Sequence, residues 1–331
     1  MAQRTIVATR TKAIKAIDLF CGAGGSSWGA CAAGVEVVAA FDMWAVAEAV
    51  YRDNFPGVKF YSGCIEDRDI GQVVKEVGHV DLIMASPECT NHSVAKGNKP
   101  RCEKSRETAL QVVRFAKAFK PRWVVVENVV SMQNWSKYAG LIKDMGDLGY
   151  HSLAQKLNAA DFGVPQARRR LFLLFDLKRK PDEIKPPERK RRTAAHVVNL
   201  NGKYHYTALR TERRAKPTLA RADRAIANVG EKTAFLVVYY GSDQAGGWQS
   251  LDVPLRTITT LDRFALVKPG DTGHVMRMLQ PEELKAAMGW PKGFKIQHGT
   301  RRDKVKMIGN AVCPEVMKEI ALRLSNDQRS L

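Results

Sequence analysis

The feature that most constrains this chain is a rhythm in its first half, where short apolar runs alternate with stretches of helical periodicity. The runs Ala16 to Phe20, Val35 to Phe41, Val80 to Ala85, Trp123 to Val126 and Leu171 to Phe175 are short for helices and continuous enough for strands buried on both faces. Between the third and fourth, Ser105 can cap a helix. Its apolar positions Ala109, Val112, Val113, Ala116 and Phe119 recur at helical spacing until Pro121 stops it. This repetition predicts an α/β fold with a mostly parallel sheet flanked by helices. A chain of 331 residues has room for one large domain, with or without a smaller one.

Charge narrows the class of partner. Lys and Arg number 53 against 34 Asp and Glu, a net charge of +19, which suits a polyanion such as nucleic acid, or an anionic membrane surface. The surplus is uneven: Leu177 to Thr233 holds 16 Lys or Arg against 6 Asp or Glu. So strong a local excess favours a phosphate-contacting surface over a merely solvated arm. Pro181, Pro186 and Pro187 mark its entry as irregular. Pro281 opens one late helix, and Pro314 to Leu324 gives another. The first 17 residues carry four cations but no apolar stretch of signal-peptide length, and no later segment reads as a bilayer span. A cytoplasmic, nucleoid-associated protein is expected. The six cysteines, Cys21, Cys31, Cys64, Cys89, Cys102 and Cys313, contain no CxxC spacing, so neither a zinc knot nor a disulfide framework is expected.

Ile17 to Gly25 reads IDLFCGAGG, an apolar strand running into a glycine-rich turn, with a helix expected from Ser26. Glycines there let a ligand lie against bare backbone at the carboxyl end of the strand. Asp42, 20 residues after Gly22, ends the second strand, where a carboxylate can accept from ribose hydroxyls. On its own this is a nucleotide-type site of unspecified identity, or a tight structural turn. Three further segments follow strands: SPECTNHS (Ser86 to Ser93), ENV (Glu127 to Val129) and VPQARRR (Val164 to Arg170). Cys89 lies in a polar loop, where a reactive thiol is expected.

These segments, with IGNAV (Ile308 to Val312), occur in order from Ile17 to the end of the chain, and on them the sequence resembles the cytosine-5 DNA methyltransferase family. The resemblance implies a Rossmann-like S-adenosylmethionine methyltransferase domain over residues 1–176. It implies a smaller basic target-recognition domain over 177–300, and a C-terminal segment, 301–331, returning to the catalytic domain. It assigns Cys89 as nucleophile toward carbon-6 of a flipped cytosine. Glu127 faces ring nitrogen 3 and the exocyclic amine, while Arg168 and Arg170 face the carbonyl oxygen or anchor the catalytic loop. Asp18, Phe20, Gly22, Gly24, Gly25, Asp42, Met43, Ile65, Ser86, Asn310 and Ala311 would hold the methyl donor. Ser93, Asn128 and Gln166 would meet the substrate. No metal is required. Double-stranded DNA is the expected partner of a monomer, with a cognate restriction endonuclease as a second candidate.

The chain departs from the family pattern at two positions. Glu88 stands where a proline usually precedes the nucleophile, and a carboxylate there tends to raise the thiol's pKa. Cys64 stands where an aspartate usually binds the adenine amine, so weaker donor binding is expected, with Ile65 still placed to pack on the ring. His92 reads as solvent-facing. The polar, basic stretch Lys96 to Lys104 suits a loop that closes on phosphates. The basic stretch Leu177 to Thr233 matches the family's variable recognition region, with Arg and Asn side chains among Asn199 to Arg224 as candidate base readers, and Pro254 to Thr260 resembles the framework that follows. Two alternatives stand beside the DNA enzyme: a tRNA cytosine-5 methyltransferase, and a catalytically altered member that binds DNA.

Overall fold

A computed structural model describes residues 13–88, 107–201, 204–240 and 246–329. The calls on Cys89, His92, Ser93, Cys102, Ser105 and the stretch Lys96 to Lys104 lie outside them. In chain order, the first half forms β1 (Lys15–Leu19), α1 (Gly25–Ala32), β2 (Glu36–Asp42), α2 (Ala45–Asn54), β3 (Lys59–Ser62), α3 (Ile70–Val77), β4 (Leu82–Ala85), α4 (Gln111–Phe119), β5 (Trp123–Asn128), α5 (Tyr138–Asp147), β6 (His151–Asn158), β7 (Gln166–Ala167) and β8 (Arg169–Asp176). All but β7 of these strands make one seven-stranded sheet, ordered β3-β2-β1-β4-β5-β8-β6. Neighbours pair in parallel except at β8, which runs antiparallel to both β5 and β6.

Side chains of the central strands alternate between two cores, since successive residues of a strand point to opposite faces. Ala16, Met84, Val125 and Phe172 share one core with Val316, Met317 and Ile320 of the C-terminal helix. Ile17, Ile83, Val124, Val126 and Leu173 share the other with Phe115 of α4 and Leu141 of α5. Burial on both faces explains the unbroken apolar runs. The outer strands escaped the sequence reading for the converse reason: β3 has four residues, and β6, HSLAQKLN, is half exposed along much of its length.

The second half builds a five-stranded antiparallel sheet, ordered β11-β10-β13-β14-β9. Its strands are β9 (Thr207–Ala208), β10 (Phe235–Val238), β11 (Trp248–Ser250), β13 (Phe264–Gly270) and β14 (Gly273–Met278). Helix α6 (Lys216–Val229) covers one face through Ala222 and Ala225. Leu236, Val238 and Leu266 on the other face join the first core of the large sheet. A short β12 (Leu255–Arg256) pairs in parallel with β7. Three helices follow, α7 (Pro281–Ala287), α8 (Arg301–Asn310) and α9 (Pro314–Arg329), the last lying against α1. A methyl group on Gly29 of α1 would sit 2.3 Å from the Pro314 carbonyl oxygen. Glycine is what lets these two helices approach so closely.

Two features differ from a plain reading of charge and boundaries. Arg179 pairs with Asp182 and Asp327, Arg189 with Glu315 and Glu319, and Arg191 with Asp161. Apart from the local Arg179–Asp182 pair, these contacts make part of the basic stretch expected at phosphates a strap fastened to acidic side chains outside it. Exposed pairs of this kind contribute about 0–1 kcal/mol each, so they direct the chain's path more than they stabilise it. Trp290 and Phe294 pack with tilted rings 4.2 Å apart, and Phe294 meets Trp28 of α1 at 5.3 Å and Phe55 at 6.3 Å. Asn54 exchanges two hydrogen bonds with the Lys295 backbone. This part of the segment expected in the recognition domain packs on α1 and the end of α2, beside the large sheet. Among the described residues, no helix is long and apolar enough to cross a membrane.

Candidate active site

The carboxyl ends of β1, β2, β4 and β5 meet the amino end of β8 at one edge of the large sheet, because β8 alone runs the other way. Glu127 is the fifth residue of β5 and 5% exposed. Register with β8 sets Glu127 opposite Phe172 and Asn128 opposite Leu171, so Arg170 enters the sheet beside the carboxylate. Arg170 Nε lies 3.1 Å from Glu127 Oε1. The contact is an ion pair without hydrogen-bond alignment, which leaves Oε1 buried with no aligned donor. Buried oxygens without an aligned donor are rare in native structures and call for an explanation, of which a catalytic role is one. Burial raises the Glu127 pKa, opposed first by Arg170 and then by Arg168, so the carboxyl keeps its proton to higher pH than an exposed glutamate does.

The remaining motif residues brace this pair. Arg168, 2% exposed, donates through Nη1 to the Ile258 carbonyl at 3.1 Å and through Nη2 to those of Gly309 and Ala311 at 2.9 and 3.0 Å. These bonds join the lead-in to β8 to two segments distant in sequence. Gln166, 0% exposed, donates to the Ala287 carbonyl and accepts from the Ile258 N–H at 2.9 Å. In this conformation it supports the framework and presents no surface to a substrate. Gly309 passes under the same framework, where an added Cβ would lie 2.2 Å from the Thr259 carbonyl oxygen. Asn310, at the end of α8, is exposed. Asn128 donates to the Pro87 carbonyl at 3.2 Å and accepts from Val129 N–H at 2.8 Å. Ser86 N–H donates to the Leu19 carbonyl. The chain leading toward Cys89 is thus fixed beside the end of β5, while Cys89 itself lies outside the described residues.

The glycine-rich turn forms a second feature on the same edge. Phe20 and Gly22 take left-handed φ values of 58° and 53°, and for a bulky residue such as Phe20 that conformation stores strain, which concentrates at functional sites. A Cβ on Gly22 would meet nothing within 4 Å, so the turn opens onto space a ligand can fill. Gly25, by contrast, is needed for packing: its Cβ would lie 2.2 Å from the Val312 carbonyl oxygen. Asp42 accepts from Gly22 N–H at 2.8 Å and Trp44 N–H at 2.9 Å. Burial raises its pKa, opposed by those N–H groups, and further lone pairs of the carboxylate remain for a ribose. Met43 beside it is 73% exposed, an apolar surface at the rim. Gly63 N–H donates to the Asp42 carbonyl, and Ile65 follows, buried. An open backbone cradle, a rim carboxylate and apolar cover fit an adenosyl ligand.

Asp18 has a different setting from the one its motif implies. It is wholly buried, and Oδ2 accepts from Ser27 N–H at 3.1 Å and Ser27 Oγ–H at 2.6 Å. Ser27 Oγ is 2.7 Å from Tyr51 Oη. The carboxyl therefore caps α1 from a neighbouring strand, because Gly24 at the N-cap has no side chain to do so. Desolvation drives its pKa up to about 7 against the Ser27 hydrogen bonds. A raised carboxyl pKa contributes stability at low pH that is lost as pH rises through about 7. Asp18→Asn removes that loss. The melting temperature of Asp18→Asn minus that of the unsubstituted protein is expected to grow between about pH 5 and pH 8, and a flat difference in calorimetry would refute it.

Several contacts left no trace in the residue pattern. Arg277 and Glu283 form a buried bidentate pair at 2.7 Å. Arg277 also lies 4.6 Å from the Tyr204 ring and donates to the Asn199 carbonyl, holding a stretch expected to read DNA. The six-residue spacing of an arginine and a glutamate across the start of α7 is their only sequence signal. Between α6 and β11 an open groove of about 500 Å³ is lined by Arg224, Asn228, Trp248, Gln249 and Arg256 among others. Cys21, Cys31, Cys64 and Cys313 are free thiols.

Two curated relatives match this chain along most of their length, and a third along part of it. M.HgiDI, a type II methyltransferase of Herpetosiphon aurantiacus, is 28% identical over 90% of this chain and 90% of its own. M.HindV, from Haemophilus influenzae, is 25% identical over 96% of this chain and 98% of its own. M.DdeI of Desulfomicrobium norvegicum matches at 34% over 48% of this chain, where the match spans 39% of that longer protein. A solved structure of a Spodoptera frugiperda DNMT2 mutant shares the fold, with a TM-score of 0.69 at 16% identity, covering 95% of this chain and 100% of that one. Residues 14–326 match the family model described as C-5 cytosine-specific DNA methylase, and the chain belongs to that family.

Proposed function

We propose that this protein methylates carbon-5 of a cytosine flipped out of double-stranded DNA, at a short recognition sequence, through a covalent bond to Cys89. The observation that carries the reading is the buried Glu127–Arg170 pair at the carboxyl edge of the sheet, with the adenosyl cradle on the same edge and Asn128 holding the approach to Cys89. Carbon-5 of cytosine is too poor a nucleophile to take a methyl group unaided. Addition of the Cys89 thiolate to carbon-6 makes carbon-5 enamine-like. A protonated Glu127 donates to ring nitrogen 3 and its carbonyl oxygen accepts from the exocyclic amine, so charge developing on the ring is met by a preorganised group. Arg170 holds that carboxyl in place and faces the base carbonyl.

The methyl donor of this family is S-adenosylmethionine, which supplies an electrophilic methyl group when bound. Gly22 and Gly24 would lie along its methionine end, Asp42 would accept from the ribose, and Met43 and Ile65 would enclose the adenine. Loss of the carbon-5 proton and expulsion of Cys89 then restore the ring. A target base is unreachable inside a duplex, so flipping is required. The groove between α6 and β11, with Arg224 and Arg256, and the stretch Asn199 to Tyr206 are the candidate surfaces for phosphates and base edges. The type II relatives support a cognate restriction endonuclease as partner, which DNA from expressing cells would reveal by resisting one specific nuclease.

Incubation with the donor and DNA containing 5-fluorocytosine is expected to give a denaturation-resistant protein–DNA adduct, because fluorine at carbon-5 cannot leave as a proton does. Cys89→Ser is expected to give none. Absence of adduct with the unsubstituted protein would sink the nucleophile assignment, and an adduct on tRNA alone would transfer the reading to an RNA enzyme. Bisulfite sequencing of DNA from expressing cells would then identify the recognition sequence.

A further inference from the structure

The chain between β3 and α3 makes a turn, Ile65 to Arg68, whose own backbone closure is a single long bond, Arg68 N–H to the Ile65 carbonyl at 3.4 Å. Its other polar support comes from α4. Arg114 Nη1 donates to the Glu66 carbonyl at 3.0 Å and the Ile65 carbonyl at 3.4 Å, and Nη2 donates to the Arg68 carbonyl. Gln111 Oε1, one turn earlier on α4, lies 3.0 Å from Nη1 and steadies the guanidinium. One planar fork thus reaches three carbonyls of a four-residue turn, a geometry lysine cannot reproduce. The near end of the turn is tied to Asp42 through Gly63. Ile65 is buried in the core that also holds Phe41, Tyr61 and Phe115.

We infer that Arg114 is a positioning residue for the adenine end of the methyl donor. It holds the Ile65 to Arg68 turn where Ile65 can pack against the ring, and so offsets by rigidity the hydrogen bond that Cys64 cannot supply. A turn already ordered loses less conformational entropy when its ligand arrives. The inference rests on the placement of adenine beside Ile65 in the proposed function.

The test measures S-adenosylhomocysteine and adenosine binding by calorimetry, together with the donor KM and kcat. For Arg114→Ala, affinity for both ligands is expected to fall about tenfold, the equivalent of roughly one lost hydrogen bond. The donor KM is expected to rise in step, with a smaller change in kcat at saturating donor and in DNA binding. Arg114→Lys, the more conservative change, is expected to recover part of the affinity. A merely structural strap would lower the melting temperature of both variants while leaving affinity intact, and that result would overturn the inference. Ile65→Ala separates the two layers. If it weakens S-adenosylhomocysteine binding while Arg114→Ala and Arg114→Lys do not, the Arg114 role alone fails. If Ile65→Ala has no effect on binding, the adenine placement fails and the inference falls with it.

Discussion

Glu127→Gln is expected to lower kcat by about 10²–10³-fold, the usual loss when a preorganised group that meets developing charge is removed. The substitution preserves shape and an N–H donor, so the pocket stays filled and Arg170 keeps a polar neighbour. What disappears is the acid form of the carboxyl, whose proton the ring nitrogen needs as the thiolate adds. Asp42 and the Gly22 turn lie on β2 and after β1, apart from Glu127 on β5, so the donor KM should change little, and gel-shift affinity for DNA should persist. Because burial raises the Glu127 pKa, the dependence on its protonated form is lost as pH rises through that raised value. An amide does not titrate, so this alkaline limb should be absent from the residual activity of Glu127→Gln. A rate within about threefold of the unsubstituted enzyme would remove Glu127 from the chemistry.

Arg168→Ala is expected to cost about 3–9 kcal/mol of stability. The substitution strips charged donors from three carbonyls, those of Ile258, Gly309 and Ala311, at about 1–3 kcal/mol for each buried group left unsatisfied. For a chain of this size such a loss lowers the melting temperature on the order of 10 °C. It also frees the Ile308 to Val312 turn, whose Val312 carbonyl lies against Gly25 in the cofactor loop, so catalysis should decline along with stability. Scanning calorimetry with limited proteolysis checks both effects. A melting temperature within about 2 °C would show that the carbonyls find other donors and that Arg168 is not the brace described.

The contrast between Arg168 and Arg170 shows where sequence reading stops. Both stand in one motif, two residues apart, and the sequence offers equal reason to send either to the base. Pairing of β8 with β5 sends Arg170 to Glu127, whereas Arg168 precedes the strand and turns into the framework. The five central strands were legible because burial on both faces demands unbroken apolar residues. The edge strands β3 and β6 were not, because exposure relaxes that demand, and the direction of β8 depends on a connection rather than on composition. The small antiparallel sheet was hidden by short strands within a stretch dominated by charge. Three of the arginines there, Arg179, Arg189 and Arg191, engage acidic partners up to 148 residues away.

The sequence by itself determined the kinds of chemistry present: a backbone turn bare enough for a nucleotide, a thiol in a polar loop, and a glutamate and arginines at strand ends, in an order that one family shares. Those are properties of side-chain type and local spacing, which the chain carries without folding. Only the tertiary structure decided which of these groups face a substrate and which hold the frame. Asp18 turned to cap α1, Gln166 and Arg168 turned to distant backbone, and Arg114, on no motif, reached the carbonyls of the Ile65 to Arg68 turn. The physical reason is common to all four. Each is held at least in part by main chain, and a backbone carbonyl or N–H is the same at every residue, so nothing in the sequence distinguishes the one that folding will bring within reach.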